Sequence, residues 1–409
     1  MKLLHTSDWH IGRALYGRKR YAEFEAFLTW LTEAIQQNEI DALLVAGDVF
    51  DTGTPSNQAQ ALYYRFLCRV AASPCRHVIV IAGNHDSPSF LNAPKELLKA
   101  LDIHVIGSST ESPEDEVLVL RNAHNAPELI ICAVPYLRDR DIRIAEAGES
   151  MEDKERKLID GIRAHYAAVA ASAERKREEL GGDIPIVATG HLFTAGGHTI
   201  DGDGVRELYI GSLARVTTGV FPPCFDYLAL GHLHVPQKVN GSETIRYSGS
   251  PLPMGFGEAK QQKSVCLIEC HGTTVSVQLI NVPVFQKLER IKGDWDGISS
   301  RILELAAMRS TSWLEVVYEG DNIIGDLRER LEAEISGTQM EILRIQNNRI
   351  INRVLGQRHQ EETLDDLNVN EVFERCLAAH QIPEDQRPEL LRAYRETVSS
   401  LYEDDVQTQ

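Results

Sequence analysis

The sequence predicts an α/β layered domain, a small α+β unit after it and a helical C-terminal tail. Three observations carry this. Up to Val282, apolar runs rich in Val, Ile and Leu, each stopped by glycine, alternate with amphipathic helical patterns. After Val282-Pro283 a shorter strand–helix alternation begins. Beyond Asn348 the chain turns polar and then offers two short amphipathic helices. The expected domains are therefore 1–282, 283–347 and 348–409.

Taken in order, Lys2 to Thr6 reads as a strand ending at Ser7-Asp8-Trp9-His10. A helix follows, with Tyr21, Phe24, Phe27, Leu28, Leu31 and Ile35 on one stripe. Asp41 to Ala46 is a buried strand ending at Gly47-Asp48. Thr54 then offers an N-cap and Pro55 a first-turn proline for a helix with Leu62, Phe66 and Val70. His77 to Ala82 ends at Gly83-Asn84-His85-Asp86. A charged helix carries Leu158, Ile162, Tyr166 and Val169 and stops at Gly181-Gly182. Ile184 to Thr189 ends at Gly190-His191, and Tyr227 to Leu230 at Gly231-His232-Leu233-His234.

In the second unit, strand Phe285–Ile291, a helix with Trp295 to Leu305, strand Trp313–Tyr318, a helix with Ile323 to Ile335 and strand Met340–Ile345 form a βαβαβ unit. The tail helices present Val372, Phe373, Cys376 and Leu377, then Leu391, Tyr394, Val398 and Leu401. Two helices alone bury little, so their apolar faces call for another surface.

A chain of 409 residues exceeds one hydrophobic core, and 43% hydrophobic with 25% charged residues excludes a disordered or collagen-like protein. No run of apolar residues is long enough for a membrane span, and Met1 to His5 lead straight into a polar motif rather than a secretory leader. Seven cysteines without a C-x-x-C pair suit a reducing cytoplasm. The net charge of −18 argues against a generic nucleic-acid coat. However, residues 361–409 hold thirteen acids against four bases, half of that total, so the front of the chain is far less acidic.

Every strand-end cluster contains residues able to hold a hard metal ion: Asp8, His10, Asp48, Asn84, His191, His232 and His234. In open α/β sheets ligands collect beyond the carboxyl ends of strands, so side chains distant in sequence can aim at one point. Asp48 is the natural bridging carboxylate. Asp8, His10 and His234 would complete one divalent ion, and Asn84, His191 and His232 the other. Two ions about 3.5–4 Å apart polarise a phosphoryl group and ready water for in-line attack. Manganese, iron and zinc are all admissible, the oxygen ligands favouring manganese.

The motifs D-x-H, G-D, G-N-H-D, G-H and G-H-x-H, in that order, resemble the calcineurin-like metallophosphoesterase family, which implies a layered metallophosphoesterase sandwich. SDWHIGR, AGDVFDTG, AGNHDS, LYIGSL (208–213), DYLALGHLH and YSGSPLP (247–253) narrow the resemblance to the SbcD family, nuclease subunits of bacterial SbcC–SbcD complexes. That resemblance implies a manganese-dependent DNA exonuclease and endonuclease acting at double-strand ends and hairpins. It further implies a capping domain at 283–347, a homodimer in a 2:2 heterotetramer, and a tail, 361–409, docking on an SMC-type SbcC-like ATPase in DNA repair, recombination and replication. His85 is similar to the family's catalytic histidine, placed to assist the leaving oxygen.

Asp51 and Asp86 are candidate partners that orient the histidines. Arg13, Arg18, Lys19 and Arg20 follow the first motif as candidate phosphate contacts, with Tyr16 a candidate stacking group. No G-x-x-x-x-G-K-S/T occurs, so the chain has no Walker-type nucleotide site and ATP dependence would come from a partner. The rival readings are a phosphatase or small-molecule phosphodiesterase on the same metals, because a fold does not fix substrate, and a DNA-end tether.

Overall fold

Neighbouring residues of the first strand enter different cores: Leu4 packs under helices and Leu3 between two sheets. This period-two alternation repeats along the next strands and generates a layered architecture. The computed structural model describes residues 1–143, 149–194, 216–320, 324, 326–347, 377 and 387. The chain divides into two units, Met1–Gln286 and Lys287–Gln409.

The first unit begins with β1 (Lys2–Thr6), the short hairpin β2 (Ala14–Leu15) and β3 (Arg18–Lys19), α1 (Tyr21–Gln37), β4 (Ala42–Ala46), α2 (Asn57–Ala71) and β5 (His77–Ile81). Two short helices, α3 (Pro88–Asn92) and α4 (Lys95–Lys99), lead to β6 (Ile103–Ile106), β7 (Val117–Arg121) and β8 (Pro127–Cys132). Then come α5 (Asp139–Ile142), the long α6 (Met151–Leu180), β9 (Ile186–His191) and β10 (Tyr227–Gly231). The unit closes with β11 (Gln237–Lys238), β12 (Ile245–Tyr247) and the hairpin β13 (Ser264–His271) and β14 (Thr274–Asn281).

Two six-stranded sheets result, ordered β14-β13-β1-β4-β5-β6 and β11-β12-β10-β9-β8-β7. Within them β1, β4, β5 and β6 are parallel, as are β8, β9, β10 and β12. Parallel pairing brings the carboxyl ends of β1, β4 and β5 out at one edge, and likewise those of β9 and β10. Leu4, Leu43, Val45, Val78 and Val80 meet α1 and α2 on the outer face of the first sheet. Leu3, Leu44, Ala46, Ile79 and Ile81 meet Ile131, Val187 and Ala229 between the sheets. Leu158, Ile162, Tyr166 and Val169 of α6 cover the outer face of the second. The result is the expected α/β sandwich, and truncating a side chain such as Leu44 to Ala would cost about 2–5 kcal/mol.

Leu62 and Phe66 of α2 also lie in the outer core of the first sheet. That helix starts later than its sequence suggests. Ser56, extended at φ −62° and ψ 156°, is the N-cap and its hydroxyl accepts from Ala59 N–H, rather than Thr54 with Pro55 opening the first turn. The reason is competition between two capping hydroxyls, which Ser56 wins by also bonding the Tyr21 hydroxyl at 2.7 Å. Helix α6 ends, as expected, on left-handed Gly181 at φ 74°.

In the second unit, β15 (Leu288–Gly293), α7 (Trp295–Ala307), β16 (Trp313–Tyr318), α8 (Leu327–Ile335) and β17 (Glu341–Asn347) form a βαβαβ arrangement on a parallel sheet β15-β16-β17. Its first strand begins at Leu288 rather than Phe285, and Ile298, Ile302 and Leu305 pack on Leu314 and Val316. The LYIGSL segment lies outside the described residues, and so does the tail apart from Leu377 and Arg387. Among the described residues no helix is long and apolar enough to cross a membrane.

Candidate metal centre

The loops that leave β1, β4 and β5 continue the sheet's own hydrogen bonding. Asp8 N–H donates to Gly47 O at 3.0 Å, His10 N–H to Asp48 O at 3.0 Å, and Ile11 N–H to Val49 O at 2.9 Å. Asp86 ties in the third loop, its carboxylate accepting from Gly83 N–H (2.9 Å), Val49 N–H (3.1 Å) and Phe50 N–H (3.0 Å). Asp86 thus orients backbone rather than an imidazole. The loops pass so closely that a Cβ on Gly83 would overlap the Asp48 carboxylate, and one on Gly231 would overlap Ala46 O. Asp8, His10, Asp48 and His232 take positive φ (53°, 47°, 51° and 103°), a strained backbone of the kind that surrounding structure must hold in place.

The seven side chains converge in two groups. Ligand atoms of Asp8, His10 and His234 all lie within 4.8 Å of one another, as do those of Asp8, Asp48 and His191. Asn84 Oδ1 is 3.0 Å from both His191 Nε2 and His232 Nδ1. Asp48 Oδ2 lies 3.6 Å from His10 Nε2 and 3.3 Å from His191 Nε2, so one oxygen faces both groups. His10 Nε2 and His234 Nε2 stand only 3.2 Å apart.

Outer bonds aim these atoms inward. His191 Nδ1–H donates to Ala46 O at 2.9 Å, leaving Nε2 as the ligand atom. Asp51 has two tasks. Its carboxylate lies 3.4 Å from His10 Nδ1, and its carbonyl accepts from His85 Nδ1–H at 2.8 Å, which leaves His85 Nε2 for the site. Asp8 accepts from Ser7 Oγ–H (2.5 Å) and from His232 N–H (3.0 Å). Behind His234, buried Lys263 donates to its carbonyl at 2.9 Å and to Ser250 Oγ at 3.1 Å, and pairs with buried Glu258 at 2.6 Å. Carboxylate and amide oxygens with imidazole nitrogens, buried and aimed at two adjacent points, fit divalent cations.

Electrostatics agree. Burial works against the Asp48 carboxylate, but His191, His10 and His85 outweigh it and hold it well below the usual range. Burial, with Asp48 adding, pushes Asp8 up to about 6 despite His191 and His10. Burial would lower His191, yet Asp48 and Asp8 raise it to about 9. His232, buried beside His191, falls to about 3. A bound dication would draw both carboxylates and imidazoles towards their unprotonated forms.

Comparison with known proteins follows the same lines. The calcineurin-like phosphoesterase family matches residues 1–236. The D subunit of nuclease SbcCD from Escherichia coli K12 is 37% identical over 404 residues, 98% of each chain. The chain belongs to the SbcD family of calcineurin-like phosphoesterases. The corresponding SbcCD nuclease subunits of Rhodobacter capsulatus (37% identity; 66% of this chain, 67% of theirs) and Bacillus subtilis (35%; 66% of each) are also similar. Residues 284–381 match the family described as Type 5 capsule protein repressor C-terminal domain. Membership makes the chain a metal-dependent phosphoesterase, and the two groups above are where this SbcD-family member could hold its metal.

The other expected residues divide. Arg13 reaches Asp51 at 3.3 Å, at the rim of the SbcD-family site. Tyr16, 44% exposed, stacks on Phe256 at 5.7 Å, and Arg18 and Lys19 are exposed on β3. Arg20 differs from expectation. It is 2% exposed, with Nε and Nη2 on the Glu23 carboxylate (2.9 and 2.8 Å) and Nη1 on Pro253 O (2.7 Å), so it braces the loop instead of reaching a phosphate. Its position one helical turn before an acid was the sequence signal for that. The sequence motifs pass over the loop after β8. Tyr136 N–H donates to Ala82 O at 2.9 Å and its ring stands edge-on to His191 at 6.3 Å. Like every other site loop it follows a strand, but it carries no ligand residue to give it away.

Proposed function

We propose that the protein is a two-metal nuclease that hydrolyses DNA phosphodiester bonds at double-strand ends and hairpins, as exonuclease and endonuclease, in complex with an SbcC-like ATPase. The observation that carries this is Asp48 Oδ2, facing His10 on one side and His191 on the other. Asp8, His10 and His234 would hold one cation and Asn84, His191 and His232 a second, with Asp48 shared between them and manganese the best match to the oxygen donors. Two such ions supply Lewis acidity at the phosphoryl group and ready water for in-line attack.

The chain's own groups do the rest. His85, in its doubly protonated form, keeps Nδ1–H on Asp51 O and donates from Nε2 to the leaving oxygen. Asp51 and Ala46 fix the faces of His10 and His191, and Asp86 holds the loops between them. Arg13, Arg18 and Lys19 meet backbone phosphates, and Tyr16 stacks on a base at the end of the duplex. Residues 283–347 are the family's capping domain, 361–409 dock on the ATPase, and the assembly is a 2:2 heterotetramer in the cytoplasm. The names of the relatives, each part of a nuclease SbcCD, support the partnership.

The test is a manganese titration of the full chain followed by assay on blunt duplex and hairpin DNA. Two ions per chain and manganese-dependent cleavage are expected. Uptake of a single ion, or DNA left intact while a chromogenic phosphodiester is hydrolysed, would overturn the reading.

A further inference from the structure

The loop after β8, Ala133 to Arg138, carries none of the proposed ligands, yet it faces the site. Pro135, Tyr136 and Leu137 wall a recess that His191 and His232 also line. The Tyr136 bond to Ala82 O fastens it beside the loop that carries Asn84 and His85. At its end Arg138 Nη2 donates to Asp86 O at 3.4 Å, one residue beyond His85. That guanidinium is half-buried, and among the described residues no carboxylate lies within ion-pair distance of it. Across the site Arg20 is committed to Glu23, its guanidinium fully buried.

A cation half withdrawn from water, whose bond among the described residues is a long one to a carbonyl, is costly, and an arriving anion relieves the cost. Guanidinium presents a planar fork of donors that matches two phosphate oxygens. We infer that Arg138 is a phosphate subsite: it grips the backbone phosphate next to the scissile one, on the side where His85 meets the leaving oxygen. This rests on the nuclease reading above. The ligand class is a polynucleotide phosphodiester, and Tyr136, Leu137 and the recess they wall accept the apolar face of the adjoining sugar.

The experiment compares the full-length wild type with R138A and R138K on duplex DNA in manganese, measuring kcat and KM across salt concentrations. Losing a charge-assisted bond to phosphate should raise KM roughly tenfold or more for R138A, with kcat changing far less. The slope of log(kcat/KM) against log salt should become shallower by about 0.9. R138K should restore that slope but only part of KM, because an ammonium keeps the charge and loses the fork. An unchanged slope, or a fall in kcat at constant KM, overturns the assignment. So does a loss of bound manganese in R138A, which would mean that Arg138 only braces the loops. If the wild type itself binds no manganese pair or leaves DNA uncut, the nuclease reading falls first and this subsite with it.

Discussion

The backbone N–H of His85 donates to Asp48 Oδ1 at 2.9 Å. One carboxylate therefore anchors the proposed leaving-group histidine with one oxygen and offers the other, Oδ2, to both imidazole groups. Motion of Asp48 would disturb its contacts with His10 and His191 and the position of His85 together.

Asp48→Asn should accordingly lose more than a ligand. It replaces a charged oxygen with an amide between His10 and His191, and it should weaken manganese binding by about 100-fold or more, with cleavage falling in parallel. Calorimetric counting of ions per chain checks the first, and duplex cleavage the second. Two tightly held ions in the variant would remove Asp48 from its bridging role.

His85→Gln should separate the two functions. The backbone bond to Asp48 survives the substitution, so both ions should stay, while kcat falls by about 10²–10⁴ through loss of the proton donor. Normal turnover on linear and hairpin DNA would refute the assigned role.

The crowded glycines give a stability test. Gly231→Ala drives a methyl group into Ala46 O and against His191. Forced overpacking of this kind costs about 1–3 kcal/mol, and the melting temperature should drop together with manganese affinity. Gly241→Ala, where a Cβ meets nothing within 4 Å, should leave manganese affinity as it is.

The buried pair behind His234 makes an asymmetric prediction. Lys263→Met leaves the buried Glu258 charge without its ammonium, though still bonded to Met254 N–H, and should destabilise the protein by about 3–5 kcal/mol, whereas Lys263→Met with Glu258→Met should recover part of it. Chemical denaturation of both variants measures the difference. Equal losses would mean that the charge pair contributes nothing beyond shape.

Acid should unfold the protein partly through His5. This imidazole lies buried against the Tyr227 hydroxyl at 3.0 Å, and burial lowers it from 6.5 to about 3. Between those values the unfolded chain binds a proton that the folded one refuses, so stability falls as pH drops below 6.5. One such group contributes a slope of about 1.4 kcal/mol per pH unit. His5→Gln should flatten the stability profile between pH 6 and 4 by about that amount, read from urea midpoints.

The strand-end side chains were legible because their chemistry and their glycine punctuation are both written locally, and parallel pairing does the gathering. Less local properties were hidden. The positive φ of Asp8, His10 and Asp48 is signalled only weakly, since Asp and His enter the left-handed region more readily than other non-glycine residues but still seldom. Arg20 read as an exposed cation until its helical turn brought it onto Glu23. Tyr136 and Arg138 match no motif, and only the fold puts them beside His191 and Asp86. The α2 start was displaced because two hydroxyl caps stood two residues apart and local pattern could not rank them.

The ladder from Asp8 to Gly47, His10 to Asp48 and Ile11 to Val49 has a final consequence. It prolongs the pairing of β1 with β4, so sliding one strand past the other by a single residue would turn Asp8 and His10 together away from Asp48 and His234. A chain whose first two parallel strands docked out of alignment would fold without the Asp8, His10 and His234 cluster.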